Sequence, residues 1–403
     1  MTTTGTLTAV AVTLTLWVAA AEPRTQSIEW QIKLLCKDLN EGIDLADCDG
    51  DGKLDVIAGR NWYAAPDFTP RPLRTIEDWN GYIQSNGDFA HDVNHDGYPD
   101  LIAGSFLPTE VYWYENPGKQ ALARGAMWTQ HLLANTRQTK NENQLFEDLD
   151  GDGIPEWIVN SWNRRNPTLV WKITEEERNV ETRNGKTSTR RVPAMKGIPI
   201  GKDKNGHGMG VGDLNGDGRP DILVGLGWYE QPISNAMLGG WKFHPIPELG
   251  AHVSIPVIIR DLDGDGRNDL ILGQGHDFGL HWWQQLPPHA NGKLKWRAHL
   301  IDDKFSQPHC LHMADLDGDG EDELITGKRV FAHNGRDPGG NEPPCLFYYT
   351  WDRQKQSFTK HVINEGKVGT GLQIRTGDLD GDSDLDIAVA GKSGTFLLFN
   401  QGR

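Results

Sequence analysis

The chain has 403 residues, with 56 acidic and 40 basic side chains and a formal net charge of −16. That charge excludes nucleic acid as a default partner, because phosphate binding needs a basic stripe. It also argues against docking on an anionic membrane surface. Only 37% of residues are hydrophobic, yet there are 47 Gly and 15 Trp. This balance fits an all-β protein of many short strands better than a helical bundle, and a disordered acidic chain would lack the aromatics.

Residues 1–21 read as a secretory signal peptide. An apolar stretch from Leu7 to Val18 leads into Ala19-Ala20-Ala21 before Glu22, although no Lys or Arg precedes it. The competing reading is an uncleaved anchor, for which the stretch is short and threonine-rich. Export implies a secreted or periplasmic protein, and no later segment is apolar enough to span a membrane. Cys36, Cys48, Cys310 and Cys345 match no zinc spacing. Export permits disulfides, with Cys36–Cys48 and Cys310–Cys345 as pairs that the sequence does not decide.

The carboxylates fall into seven copies of D-x-D-x-D-G-x-x-D. In chain order these are Asp47, Asp49, Asp51 and Asp55; Asp92, Asn94, Asp96 and Asp100; Asp148, Asp150, Asp152 and Glu156; and Asp213, Asn215, Asp217 and Asp221. They continue with Asp261, Asp263, Asp265 and Asp269; Asp315, Asp317, Asp319 and Glu323; and Asp378, Asp380, Asp382 and Asp386. Oxygen ligands at alternate positions of a tight loop wrap Ca²⁺, and the sixth-position Gly permits the turn. In the seventh copy Ser383 replaces that Gly. An EF-hand is excluded, since its twelfth-position Glu is missing (Ala58 in the first copy) and short apolar β runs follow, not helices. A metal-free Asx-turn loop is the bland reading, but its carboxylates would repel one another.

These motifs resemble the FG-GAP/VCBS repeat family, and the resemblance covers nearly all of residues 30–400. It implies a β-propeller with up to seven Ca²⁺ in the loops between the first and second strands of each blade. The residues agree independently. Each unit offers a strand A before the loop, a strand B after it, an aromatic-rich strand C (Val111-Tyr-Trp-Tyr-Glu, Leu280-His-Trp-Trp) and a strand D with a W-x-x-H signature ending at His131, His244 and His299, with His361 as a variant. The seventh unit lacks a strand D, and Trp30-Gln-Ile-Lys-Leu-Leu supplies one with no blade before it. The expectation is a single all-β, seven-bladed propeller over residues 28–403 with four-stranded antiparallel blades. The N-terminal strand completes blade seven, and a charged insert near 174–191 forms a surface loop.

Propeller geometry puts the D–A and B–C connections on the face opposite the calcium loops. Reading those connections alone gives His207, His252, His309, Glu142 and Arg329 as candidate catalytic residues. Arg60, Asn61, Asp88, His276, Asp277, Lys328 and His333 are candidate substrate-binding residues. Glu41 and Lys392 lie in the same set, and Trp62, Trp162 and Trp228 lie near it. His207, His252 and His309 stand on three neighbouring blades, an arrangement that could hold a divalent transition metal. Three surface histidines bonding their own loops is the plain alternative.

Two functions follow. One is an exported propeller that binds a carbohydrate or other small polar ligand and acts on it by lyase- or dehydratase-type proton abstraction, with Arg329 or a metal stabilising the enolate. The other is a non-catalytic module engaging a protein or a wall polymer. Seven Ca²⁺ would bring the formal charge from −16 to −2, so the acidity reports metal load and not a basic partner.

Overall fold

The computed structural model describes residues 27–402 apart from 164, 182–186, 202–204 and 251. The expected signal peptide lies outside the described residues. The described chain forms seven four-stranded antiparallel sheets arranged as the blades of a propeller. Blade four is typical, with strands A to D at Met209–Gly212, Asp221–Val224, Gly227–Glu230 and Lys242–Pro245 in sheet order.

Blade seven mixes the two ends of the chain. Trp30–Cys36 pairs antiparallel with strand C, Gly394–Asn400, in a register running from Trp30↔Asn400 to Cys36↔Thr395. The ring therefore closes through the N-terminal strand, as the missing strand D implied. No helix among the described residues is long and apolar enough to cross a membrane.

Each B strand is a short apolar run buried on both faces, for example Asp100–Gly104 and Asp269–Gly273. The reason is stacking, since the core consists of seven apolar layers, each between two neighbouring blades. Aromatics fill these layers, with Trp62 and Trp282 of strand C and Trp157 of strand B fully enclosed. The W-x-x-H signature acquires a physical meaning here. His131, His244, His299 and His361 stack on Trp113, Trp228, Trp282 and Tyr348 of strand C, with ring centroids 4.3–4.6 Å apart. Each imidazole plates the outer end of an aromatic core residue.

Three sequence expectations change. The charged insert is no loop. It continues strands C and D of blade three as a long hairpin, Thr168–Glu181 against Thr187–Pro199. Cross-strand partners such as Glu177 and Arg191 explain why so polar a ribbon pairs. The sequence offers blade one only a poor match to the strand D signature, Arg71–Ile76, and the observed strand D lies earlier, at Thr69–Pro72. Its two prolines suit an outer edge strand, which needs fewer N–H donors. The four cysteines are free thiols. Cys36 and Cys48 pack against different inter-blade layers, as do Cys310 and Cys345. Burial pushes the Cys310 thiol up to about 12 and, against the opposing pull of Lys328 and Lys360, the Cys345 thiol up to about 11.

Ser383 takes the left-handed φ of 78° that glycine supplies at the equivalent turn elsewhere, as at Gly52 (88°) and Gly320 (92°). Ser383→Gly is expected to raise unfolding free energy by about 0.5–1 kcal/mol, the left-handed penalty less the entropy glycine adds to the unfolded chain. Denaturant titration measures this, and a loss of stability would show that the hydroxyl supports the turn.

Candidate functional site

Short connections at one end of the ring carry charged side chains to the axis. Glu41 precedes strand A of blade one (Ile43–Ala46), and Glu142 precedes strand A of blade three (Asn143–Glu147). His207 precedes strand A of blade four, and His309 opens that of blade six (Pro308–Ala314). His276 follows strand B of blade five, Arg329 that of blade six (Glu323–Lys328) and Lys392 that of blade seven (Asp386–Gly391).

Arg329 ties the ring together at this point. Its Nε and Nη2 donate to the two oxygens of Glu41 at 2.7 and 2.9 Å, and Nη1 donates to Glu142 Oε1 at 2.5 Å. All three groups are buried. Burial, the largest single influence, would raise both carboxyls, but the Arg329 charge and its hydrogen bonds, joined by Lys392 at Glu41 and by the neighbouring histidines at Glu142, together outweigh it and hold both below the usual carboxylate range. The same two carboxylates overcome burial and raise Arg329. Lys392 Nζ stands 3.9 Å from Glu41 Oε1.

Three histidines converge beside this pair. His207 Nε2 is 3.3 Å from His276 Nε2 and 3.0 Å from His309 Nε2. Burial, then the neighbouring positive charge, keeps His309 uncharged, and burial pushes His207 down to about 3. His276, assigned to substrate from sequence, joins His207 and His309 here. His252 stays at the rim, exposed, with its ring 6.3 Å from that of His207. The reason is local. A parallel bridge pairs His252 with His207 through the backbone and leaves the inner position to the blade-five B–C turn.

Above these groups opens a pocket of about 250 Å³. Glu41, Glu142, Arg329 and Lys392 form its floor, and Trp79, Tyr82, Phe106 and Trp162 stand in its walls. His333 also lines it, stacked on His276 at 4.3 Å and bonded to Asp337 at 2.9 Å. Of the three tryptophans expected near this face, only Trp162 reaches the pocket, since Trp62 and Trp228 are core. Trp79 and Tyr82 escaped the sequence reading. They flank Asn80-Gly81, both at positive φ, in a two-stranded hairpin, Asp78–Trp79 against Tyr82–Ile83. An Asn-Gly pair between aromatics is the signal that could have found them.

The other candidates sit apart from the pocket wall. Asp88 is locked in a buried ion pair with Arg74 at 2.8 Å. Lys328 Nζ donates to Ser306, Gln307 and the Gly339 carbonyl. Arg60 bonds Asp38, Asp78 and the Ile76 carbonyl. Asn61 opens strand C of blade one, and Asp277 accepts from the Phe278 N–H in a turn. A larger concavity, about 940 Å³, lies between the outer strands of blades four and five, but the His244 and Trp228 in its wall are already stacked on each other.

On the opposite face the seven acidic loops repeat one geometry. The first Asp accepts N–H bonds from the turn, as Asp47 does from Asp51 and Gly52 at 3.0 and 2.9 Å. The ninth-position carboxylate is buried and bolts the loop to the end of strand C. Asp55 accepts from Cys48 and Ala65, and Asp100 from Val93 and Asn116. Burial, then the neighbouring carboxylates, pushes Asp55 up to about 6, Asp100 to about 7 and Glu323 to about 8. A hard divalent cation would offset that repulsion, and the all-oxygen donor set fits Ca²⁺. In loops one, three and five, three carboxylate oxygens approach within 4.8 Å of one another.

Loop three differs. The Lys172 ammonium lies among Asp150, Asp152 and Glu156 at 2.5, 2.7 and 3.1 Å. The strand registers put Ala64, Glu115, Glu230, Gln284, Thr350 and Phe399 at the same position in the other blades. Among the described residues blade three alone places a cation at this strand C position, where it meets three carboxylates, while in loops four and five Arg219 and Arg267 each pair with a single loop carboxylate, Asp217 and Asp265.

Residues 92–159, 148–224 and 261–326 match the FG-GAP-like repeat family, each match spanning two successive acidic loops. The chain is thus a seven-bladed β-propeller carrying FG-GAP-like repeats in three places. No curated protein gives a significant match. Among solved structures, BBS1N in complex with ARL6DN, soaked with lead, is similar over 93% of this chain and 97% of that one, with 13% identity and a TM-score of 0.49. The mercury-soaked form of that complex gives 0.48. The Photorhabdus luminescens Tc holotoxin pore gives 0.32, with 15% identity over 91% of this chain and 15% of that one.

Two outcomes are expected. Arg329→Gln leaves two buried carboxylates unpaired and should lower unfolding free energy by about 3–5 kcal/mol, read in denaturant titration. Calcium titration of the chelator-stripped protein should fill six loops and not seven, and Lys172→Met should restore the seventh. A wild-type count of seven would show that the ion displaces the lysine.

Proposed function

We propose that the protein is an exported, calcium-loaded propeller that binds a carbohydrate in the axial pocket and acts on it by proton abstraction of lyase or dehydratase type. The carrying observation is the pairing of half-buried aromatic walls, Trp79, Tyr82 and Trp162, with a floor of buried charge, Glu41, Glu142 and Arg329. Sugar rings present C–H faces to aromatic rings and hydroxyls to charged hydrogen-bonding groups, and this pocket offers both. Lys140, with Nζ 4.9 Å from the Trp162 ring centre, and Lys392, 4.5 Å from that of Tyr82, border it and suit an acidic sugar.

In this reading Glu142 touches the ligand, the uncharged His207 and His309 lie directly behind it at 3.6 and 4.0 Å, and Arg329 steadies developing negative charge. Paired-carboxylate glycoside hydrolysis fits less well. Glu41 and Glu142 share one guanidinium and are both held ionised, so neither is the protonated acid that hydrolysis needs.

The coarser statement, a repeat propeller compatible with a protein-interaction module, holds whichever reading succeeds. Calorimetry against neutral and uronic-acid oligosaccharides separates the two. Micromolar to millimolar binding that weakens roughly 3- to 10-fold in Trp162→Ala supports the carbohydrate reading. Formation of an unsaturated product, abolished in Glu142→Gln, supports the chemistry. Absence of binding across the panel sinks it and leaves the interaction module.

A further inference from the structure

The three converging imidazoles pose a hydrogen-bonding problem. His207 Nδ1 lies 2.9 Å from the Val253 carbonyl, which can only accept. Nδ1 therefore carries the proton and Nε2 a lone pair. His276 Nδ1 lies 2.9 Å from the Asp337 carboxylate, which fixes the same tautomer. His309 Nε2 lies 2.9 Å from Arg329 Nη1, and a guanidinium only donates. That nitrogen is an acceptor too, while His309 Nδ1 is buried with no hydrogen-bond partner. Three lone pairs thus converge, that of His207 at 3.0 and 3.3 Å from the other two and all within 4.8 Å, with no proton to share between rings. Close-packed acceptors in a buried place are unfavourable unless a cation joins them.

We infer that His207, His276 and His309 bind one divalent first-row transition ion through their Nε2 atoms, with Glu142 as the carboxylate beside them. The spacing suits this. Nitrogens each about 2.1 Å from a metal are roughly 3.0 Å apart at a right angle and 3.4 Å apart in a tetrahedron. The Glu142 oxygens stand 3.6 Å from His207 Nε2 and 4.0 Å from His309 Nε2. The supporting contacts are those of metal-binding histidines, since the second ring nitrogen of His207 donates to a carbonyl and that of His276 to a carboxylate. In the structure described here the Arg329 guanidinium meets the His309 lone pair and lends the cluster its positive charge. An ion would take that lone pair, and Arg329 would keep Glu41 and Glu142.

A second cluster, His276, His333 and Asp337, is explained without metal, because Asp337 accepts from both rings at 2.9 Å. The sequence-derived set with His252 differs by one blade connection, and that difference is testable. An ion at this place would lie one carboxylate from the pocket floor, where it could take an oxygen donor of the ligand. The inference stands without the carbohydrate reading, because metal binding is measured with no sugar present.

The test is zinc content of the chelator-stripped, zinc-reloaded full chain in calcium-containing buffer. About one zinc per chain is expected in the wild type. His276→Asn should lose at least nine-tenths of it, while His252→Asn keeps it. Asp337→Asn should bind zinc about 10- to 100-fold more weakly. Calcium content and thermal melting report whether each variant is folded. Should His276→Asn not fold, cobalt titration of the wild type replaces it, with a visible d–d band saturating at one equivalent and removed by zinc. A wild type without stoichiometric zinc or without that band overturns the inference. So does zinc retained by folded His276→Asn, or zinc that follows His252.

Discussion

Closure of the ring is the constraint on which everything else depends. Six blades are built from consecutive chain, but the seventh exists only when Trp30–Cys36 zips onto Gly394–Asn400. Each inter-blade layer needs two blades, so an open ring would leave two layers half covered and two strand edges unpaired. Closure also positions chemistry. Glu41 follows the closing strand by five residues and meets an arginine from blade six. Without the seam, Arg329 would lose its bidentate partner.

The two faces of the ring solve different electrostatic problems. On one, seven clusters of like charge stand apart from one another, each a local demand for a cation that blade three meets with its own lysine. On the other, opposite charges from blades one, three, six and seven are drawn to one point, where Arg329 and Lys392 offset Glu41 and Glu142. Exposed clusters leave their mutual repulsion open to screening by solution ions. In the buried cluster the charges pair with one another, and burial keeps the imidazoles beside it uncharged.

The fold was legible because its signals are periodic and local. The seven loops, the strand C aromatics, the strand D histidines and the orphan first strand each follow from residues close in sequence. Much of the axial site was legible too, since Glu41, Glu142, His207, His309 and Arg329 occupy connections that the topology sends to one face. His276 was placed on that face and given another role, because which of two connections reaches farther inward depends on the His207–His252 backbone bridge. The aromatic hairpin was missed because it belongs to no repeat. Asp88 and Lys328 show the converse. Their partners Arg74 and Ser306 lie 14 and 22 residues away, and nothing in the spacing announces that these charges are already satisfied.

The seam has a consequence for biosynthesis. Its partners, Trp30 and Asn400, are separated by 370 positions. During synthesis the first strand must wait for nearly the whole chain before it finds its place, and the entropy of closing so long a loop makes that a late event. Blades two to six can stack as they emerge, one on the next. The Glu41–Arg329 contact cannot form with them, so the axial chamber gains its charged floor only when the final strand arrives. A nascent chain thus carries folded blades and formed acidic loops before it carries a finished centre.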